Sequence, residues 1–385
     1  MKENYRILLI GNLYNNHMVR FVRNLKQTNP KAIVDGFEPF QKGICFPAEL
    51  ETYFNECKLV EFSNNFELFP VLRSIELIMN WKKCFRSFAK GRHYDIVNIH
   101  FPMYLERFIL DDIKRITNRI VLTPWGSDVY RISNGKRAIV KKIYDCADFV
   151  TGAGGRFTQD FMRIYDIPID KFVKIGIGSE TIDYISENKQ KLSTEEAKNR
   201  LGIGGYYTIS CGYNASSAQR HLQIIESIAK VKHMLPKNLM LLFPVTYPQA
   251  ISYIAELKKT VDYYGLHAMW FDKYMDVSSL FELIMATDLF IHIQTTDANS
   301  ASLKEYILCE KNCINGSWLK YDDLEEDGVK PFHVVDHLAQ LDQVIIDAYK
   351  KGAPKISNNT LHVVESLGCK PTSVKWNNFF MNISK

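Results

Sequence analysis

Two consecutive series of short apolar strands, each alternating with helix-like stretches, constrain this chain more than anything else in it. The first series has strands at residues 6–10, 33–37, 96–100, 120–123, 149–151 and 172–175, with helical periodicity at 18–26, 107–116 and 139–146 between them. The second has strands at 207–211, 239–244, 268–271, 289–294 and 312–315, and helices at 218–232, 247–264, 277–286 and 302–310. Continuous rather than alternating apolar strands are buried on both faces, so each series predicts a parallel sheet covered by helices on both sides. Between them the polar stretch 186–200 predicts a linker running into a short helix. The fold class is therefore α/β: two Rossmann-like, doubly wound parallel-sheet domains, expected at 1–177 and 178–369. The closing segment 370–385 carries an amphipathic helix.

Length agrees with that division. The chain has 385 residues, and single cores stop growing at roughly 250–300. A composition that is 46% hydrophobic and 24% charged excludes bulk disorder. No run of 18 apolar residues exists to cross a membrane. The apolar run at 7–10 is too short for a signal peptide, so a cytoplasmic protein is expected. None of the eight cysteines forms a C-x-x-C pair. Cys309 and Cys313 lack neighbours that would complete a zinc site, so free thiols and no metal are expected.

The net charge of +5 is concentrated in residues 1–190, with about 28 Lys/Arg against about 22 Asp/Glu. That excess suits an anionic membrane surface or a lipid-linked phosphate and is too small to indicate nucleic acid. Residues 66–90 place Leu72, Ile75, Leu77, Ile78, Trp81, Phe85 and Phe88 at helical spacing, with Lys82, Lys83, Arg86 and Lys90 among them. This pattern fits an interfacial helix or a packed helix with a solvated basic edge.

Several strand ends carry residues suited to chemistry. Gly11-Asn12 follows the first strand, where glycine allows either a close approach or an ordinary turn. No G-x-G-x-x-G follows, which argues against a dinucleotide-dependent dehydrogenase. Asn98-Ile99-His100 ends another strand, at the place where open parallel sheets bind ligands. Trp125-Gly126-Ser127-Asp128 follows the next; Asp128 is an acceptor contact or a helix cap. In the second series stand Gly212-Tyr213-Asn214 with Arg220, and the strand-to-helix segment Thr296-Asp297-Ala298-Asn299-Ser300-Ala301-Ser302 with Glu305. Small residues at a helix start let backbone N–H groups approach phosphates. Ser302-Leu303-Lys304-Glu305 also reads as a capping box.

These five places together resemble the GT-B glycosyltransferases, and within them the retaining group of bacterial polysaccharide and lipid-linked sugar transferases. The likeness spans nearly the whole chain. It implies two Rossmann-like domains facing across a cleft, with the last helix crossing back onto the first. It implies a nucleotide diphosphate sugar as donor, a saccharide or lipid-linked acceptor, and no metal. The family's two acids separated by seven residues fall here on Asp297 and Glu305, with Asp replacing the first Glu. The resemblance gives Glu305 to the donor ribose and Asp297 and His100 to the donor sugar. It gives Arg220 and the Asn299–Ser302 helix start to the diphosphate, and Trp125 stands where the family often has His. Tyr274 is a candidate to stack on the base, or a core aromatic. An inverting alternative would need a general base, for which His17 is a candidate if it is not merely a solvated helix residue. A GT-B epimerase and a non-catalytic scaffold with the same fold are the remaining alternatives.

Overall fold

The computed structural model describes residues 4–13, 15–41, 52–61, 70–130, 132–297, 300–319, 321–326 and 328–384. The chain divides into two compact units, Met1–Gly178 with Cys369–Lys385, and Ser179–Gly368.

The first unit is built on seven strands: β1 (Arg6–Ile10), β2 (Ile33–Gln41), β3 (Glu56–Glu61), β4 (Ile96–His100), β5 (Ile120–Thr123), β6 (Phe149–Gly152) and β7 (Phe172–Lys174). They lie in the order β3-β2-β1-β4-β5-β6-β7, and every pairing is parallel. The order reverses between β1 and β4, the kind of switch point beside which open α/β sheets place their ligand sites. Burial follows the apolar runs: all of β4 and β5 is buried. The helix Asn16–Thr28 starts at Asn15, whose side chain accepts from the His17 N–H. Its Met18, Phe21, Val22 and Leu25 fall on one face and enter the core.

The helix Cys369–Ile383 lies against that helix, within the same unit. Tyr5 donates to Asn377 Oδ1 at 2.5 Å, and Trp376 Nε1 donates to the Gly176 carbonyl at 2.7 Å. Trp376 and Phe380 are fully buried beside Phe21.

The second unit has six parallel strands: β8 (Tyr207–Cys211), β9 (Leu239–Pro244), β10 (Ala268–Phe271), β11 (Leu289–His292), β12 (Asn312–Gly316) and β13 (His333–Val335). Their order is β10-β9-β8-β11-β12-β13. β8 and β11 are thus the counterparts of β1 and β4.

Two expectations need correction. The polar stretch 186–200 does run into a short helix, Thr194–Arg200, but its first part is not a linker: it continues the helix Glu180–Asn188. Ser193 and Glu196 form a capping box at the second helix, and Ile182, Ile185, Leu192 and Ala197 pack into the core. Even Lys198 is buried, on Asp288 at 2.7 Å. The expected helix at 107–116 is broken instead into a short 3-10 turn, Glu106–Phe108, and the helix Leu110–Ile116.

Candidate functional site

In the first unit the crevice is closed by packing. Gly11 sits directly beside the end of β4: a Cβ there would lie 2.9 Å from the His100 carbonyl oxygen, so only glycine fits. Asn12 is exposed next to it. His100 is 1% exposed. Its Nε2 pairs with Asn98 Oδ1 at 2.8 Å, and Trp125 Nε1 faces its Nδ1 at 3.4 Å. Asn98 spends its amide donors on the Val121 carbonyl and the Thr123 hydroxyl. Its Oδ1 must therefore accept, which fixes the His100 proton on Nε2. Both ring nitrogens are engaged, and rings of Phe21, Trp125 and Trp376 surround the imidazole. Burial lowers its pKa to about 3, so it stays neutral.

Asp128 is buried. Its Oδ1 accepts from the Trp125 N–H at 3.0 Å and the Gly126 N–H at 2.7 Å. The carboxyl therefore ties down the turn that carries Trp125, and burial pushes its pKa up to about 6 despite those donors. His17 is exposed at the start of its helix, its ring edge-on to Trp125 at 5.8 Å. The segment 66–69 lies outside the described residues. In the helix Pro70–Ala89, Trp81, Phe85 and Phe88 are buried against Phe37, while Val71, Leu72, Ile75 and Met79 are exposed.

In the second unit the corresponding strand ends converge on polar groups. Gly212 turns with φ 67° after β8, and a Cβ there would meet Gln219 Oε1 at 2.9 Å and His221 Nε2 at 3.0 Å. Asn214 is buried and its Oδ1 caps the following turn at the Ser216 N–H, 2.9 Å. Arg220 adopts the left-handed conformation, φ 61°, between a 3-10 turn and the helix His221–Val231. Its Cζ lies 4.9 Å from the centre of the Trp318 ring, and its Nη1 reaches the Ile293 carbonyl at 3.4 Å. Tyr274 is 73% exposed, so it is not a core aromatic.

Asp297 sits in a buried network. Its Oδ1 accepts from the Ser300 N–H at 3.1 Å, and its Oδ2 from the Ser300 hydroxyl at 3.1 Å and from the Tyr321 hydroxyl. His292 Nε2 faces Oδ2 at 3.4 Å. His292 Nδ1 meets Asn315 Oδ1 at 2.8 Å, and the Asn315 amide donates to two carbonyls, so Nδ1 carries a proton. Burial by itself would raise the Asp297 pKa. The adjacent His292, then the Tyr321 and Ser300 donors, outweigh it and hold the carboxyl below its ordinary value. Gln294 extends the network, accepting from the Tyr213 hydroxyl at 3.0 Å and the Gln219 amide at 2.9 Å.

The helix Ala301–Leu308 begins at Ser300. Ala301 and Ser302 form its first turn, and Asn299 lies outside the described residues. Ser302 is thus inside the helix rather than its cap, and the capping-box reading of Glu305 is overturned. Glu305 is 6% exposed, one turn further on, and accepts from the Ser179 hydroxyl at 2.8 Å.

Sequence reasoning passed over Ser179, His292, Gln294, Trp318 and Tyr321. Only His292 had a visible signal: like His100, it ends an apolar strand.

No protein-family model matches this sequence, and no curated protein matches it at a significant level. Solved structures do. A glycosyltransferase from Rickettsia africae superposes with a TM-score of 0.74 at 17% identity, covering 99% of each chain. A sucrose-phosphate synthase from Thermosynechococcus elongatus gives 0.70 at 13% identity, over 98% of each chain. HepE of Anabaena, solved with UDP, gives 0.66 at 15% identity, over 98% of this chain and 100% of that one. At these identities the likeness speaks for architecture. With its seven- and six-stranded parallel sheets, this chain has the two-Rossmann GT-B glycosyltransferase fold.

Proposed function

We propose that this protein is a glycosyltransferase that takes a sugar from a nucleotide diphosphate and gives it to a saccharide or lipid-linked acceptor with retention, without a metal. The observation that carries the reading is Glu305: a buried carboxylate held by Ser179, one helical turn inside a helix that begins at a strand end. A carboxylate accepts well from paired ribose hydroxyls. The N–H groups of Ala301 and Ser302 stand at the free N-terminus of that helix, where the dipole favours phosphate. Arg220 and the loop from Gly212 to Asn214 would complete the diphosphate cradle, with exposed Tyr274 available to the base. His100, its nitrogens occupied, would act by holding Trp125 and the Gly11–Asn12 loop rather than by touching the sugar. In such a site the diphosphate leaving group takes the acceptor proton, and the protein supplies position and charge. The exposed apolar residues Val71, Leu72, Ile75 and Met79, on the same helix as exposed Lys83, would rest on an anionic membrane at the cytoplasmic face.

Calorimetry with UDP, GDP, TDP and CMP, with and without EDTA, tests the donor site. One nucleoside diphosphate should bind, EDTA should change nothing, and Glu305→Ala should weaken binding by about 10- to 100-fold, the loss of charged hydrogen bonds.

One observation favours a second reading. His17 is exposed at the start of the helix that follows β1, as a general base for inversion requires. NMR of the product anomer separates the two: a retained anomer with an active His17→Ala variant supports the first, and inversion with loss of activity supports the second.

A further inference from the structure

Arg220 is half-buried, and among the described residues no carboxylate pairs with it. Burial lowers its pKa, as expected of a guanidinium that has shed water without gaining an anion. The protein gives it two weaker partners, the Trp318 ring at 4.9 Å and the Ile293 carbonyl at 3.4 Å.

The platform itself is built. Trp318 Nε1 donates to the Gln294 carbonyl at 2.6 Å, which fixes the indole plane. Gly316 makes room for it: a Cβ on Gly316 would fall 2.5 Å from the indole Cζ2. Gln294 is in turn held by Tyr213 and Gln219, so the indole is anchored to the strand end that precedes Asp297. A ring face attracts a guanidinium and leaves its N–H edge free to donate. A carboxylate partner would consume that edge and repel a phosphate.

We infer that Trp318 is a positioning residue: it presents Arg220, uncompensated, to the second phosphate of the donor, and so makes the site select diphosphates over monophosphates. The inference rests on the donor-site reading above and adds to it the residue that sets phosphate number. Arg220 makes the contact; Trp318 acts through it.

The test pairs affinity with a direct view of the guanidinium. Calorimetry compares UDP with UMP, and GDP with GMP, in the parent, Trp318→Leu, Trp318→Phe and Arg220→Gln. Loss of the cation–π contact should weaken the diphosphate by about 5- to 20-fold in Trp318→Leu. Monophosphate affinity should change by less than about two-fold, since an Arg that meets only the second phosphate does not touch it. Trp318→Phe, which keeps a ring face, should recover most of the loss. In 15N spectra the Arg220 Nε–H should be ordered in the parent and mobile in Trp318→Leu. Equal loss for both nucleotides without rescue by Phe would make Trp318 merely structural and overturn the inference. An Arg220 Nε–H that stays ordered in Trp318→Leu overturns it whichever nucleotide binds. Absence of nucleotide binding by the parent overturns the donor-site reading, and the selectivity with it, even if the guanidinium proves ordered.

Discussion

The two units end equivalent strands on a histidine and then bury a carboxyl a few residues later, with opposite electrostatic results. β4 ends on His100 and Glu106 follows it; β11 ends on His292 and Asp297 follows it. Glu106 is fully buried; its Oε2 accepts from the Met103 N–H at 2.9 Å, while its Oε1 has no partner among the described residues. Burial pushes its pKa up to about 8, against the smaller effect of its backbone donors. Asp297, equally enclosed, is held below its ordinary value by His292, Tyr321 and Ser300. The same topological position thus yields a neutral acid in one unit and an ion in the other. The difference is the number of donors brought in from other loops. It also separates roles: the first unit seals its strand end with aromatic rings, and the second keeps a polar one.

The largest test of this contrast is Asp297→Ala. Removing the ion strands Tyr321, Ser300 and His292 in a buried place, which should cost about 2–4 kcal/mol. Hydrogen exchange should show it as faster opening of residues 300–308, with the β1–β4 region unchanged. Protection that stays the same in both regions would show that the network contributes nothing to holding that helix.

A smaller effect with a distinctive sign is expected for Glu106→Gln. A carboxyl whose folded pKa is raised contributes fully below its unfolded pKa and loses that contribution as pH rises through its folded value. The parent should therefore weaken between about pH 4.3 and pH 8, as the unfolded carboxyl ionises and the folded one does not. The Gln variant is spared this. It should match the parent near pH 4 and exceed it by about 1–3 kcal/mol near pH 8 in denaturant titrations. Asp297 has the opposite sign, since its contribution is present above the unfolded pKa and fades in acid. A Glu106→Gln advantage at pH 4 rather than pH 8 would break the comparison.

The sequence disclosed the elements that burial dictates. Continuous apolar runs marked both sheets, and Val277–Ala286 is a helix at the bounds its periodicity indicates. β3 escaped notice because Glu56, Lys58 and Glu61 break its apolar run on the edge of the sheet. The helix Glu180–Asn188 was hidden for a related reason: its solvated face is polar and charged, while Thr181, Ile182 and Ile185 are buried. Among the candidate residues, Gly11, Gly212 and Arg220 could be named from strand ends, and Glu305 from the family resemblance. Their partners could not. Tyr321 meets Asp297 across 24 residues and Ser179 meets Glu305 across 126, and no local pattern encodes such meetings. The buried state of Asp297 and the engaged nitrogens of His100 are likewise products of packing, not of residue type.

We propose that the second unit holds a nucleoside diphosphate on Glu305 and the start of its helix. Calorimetric titration of the parent and of Glu305→Ala with the four nucleotides addresses it most directly. One diphosphate bound by the parent and weakened about 10- to 100-fold in the variant is the predicted result. Equal affinity in parent and variant, or no binding by the parent at all, would contradict it.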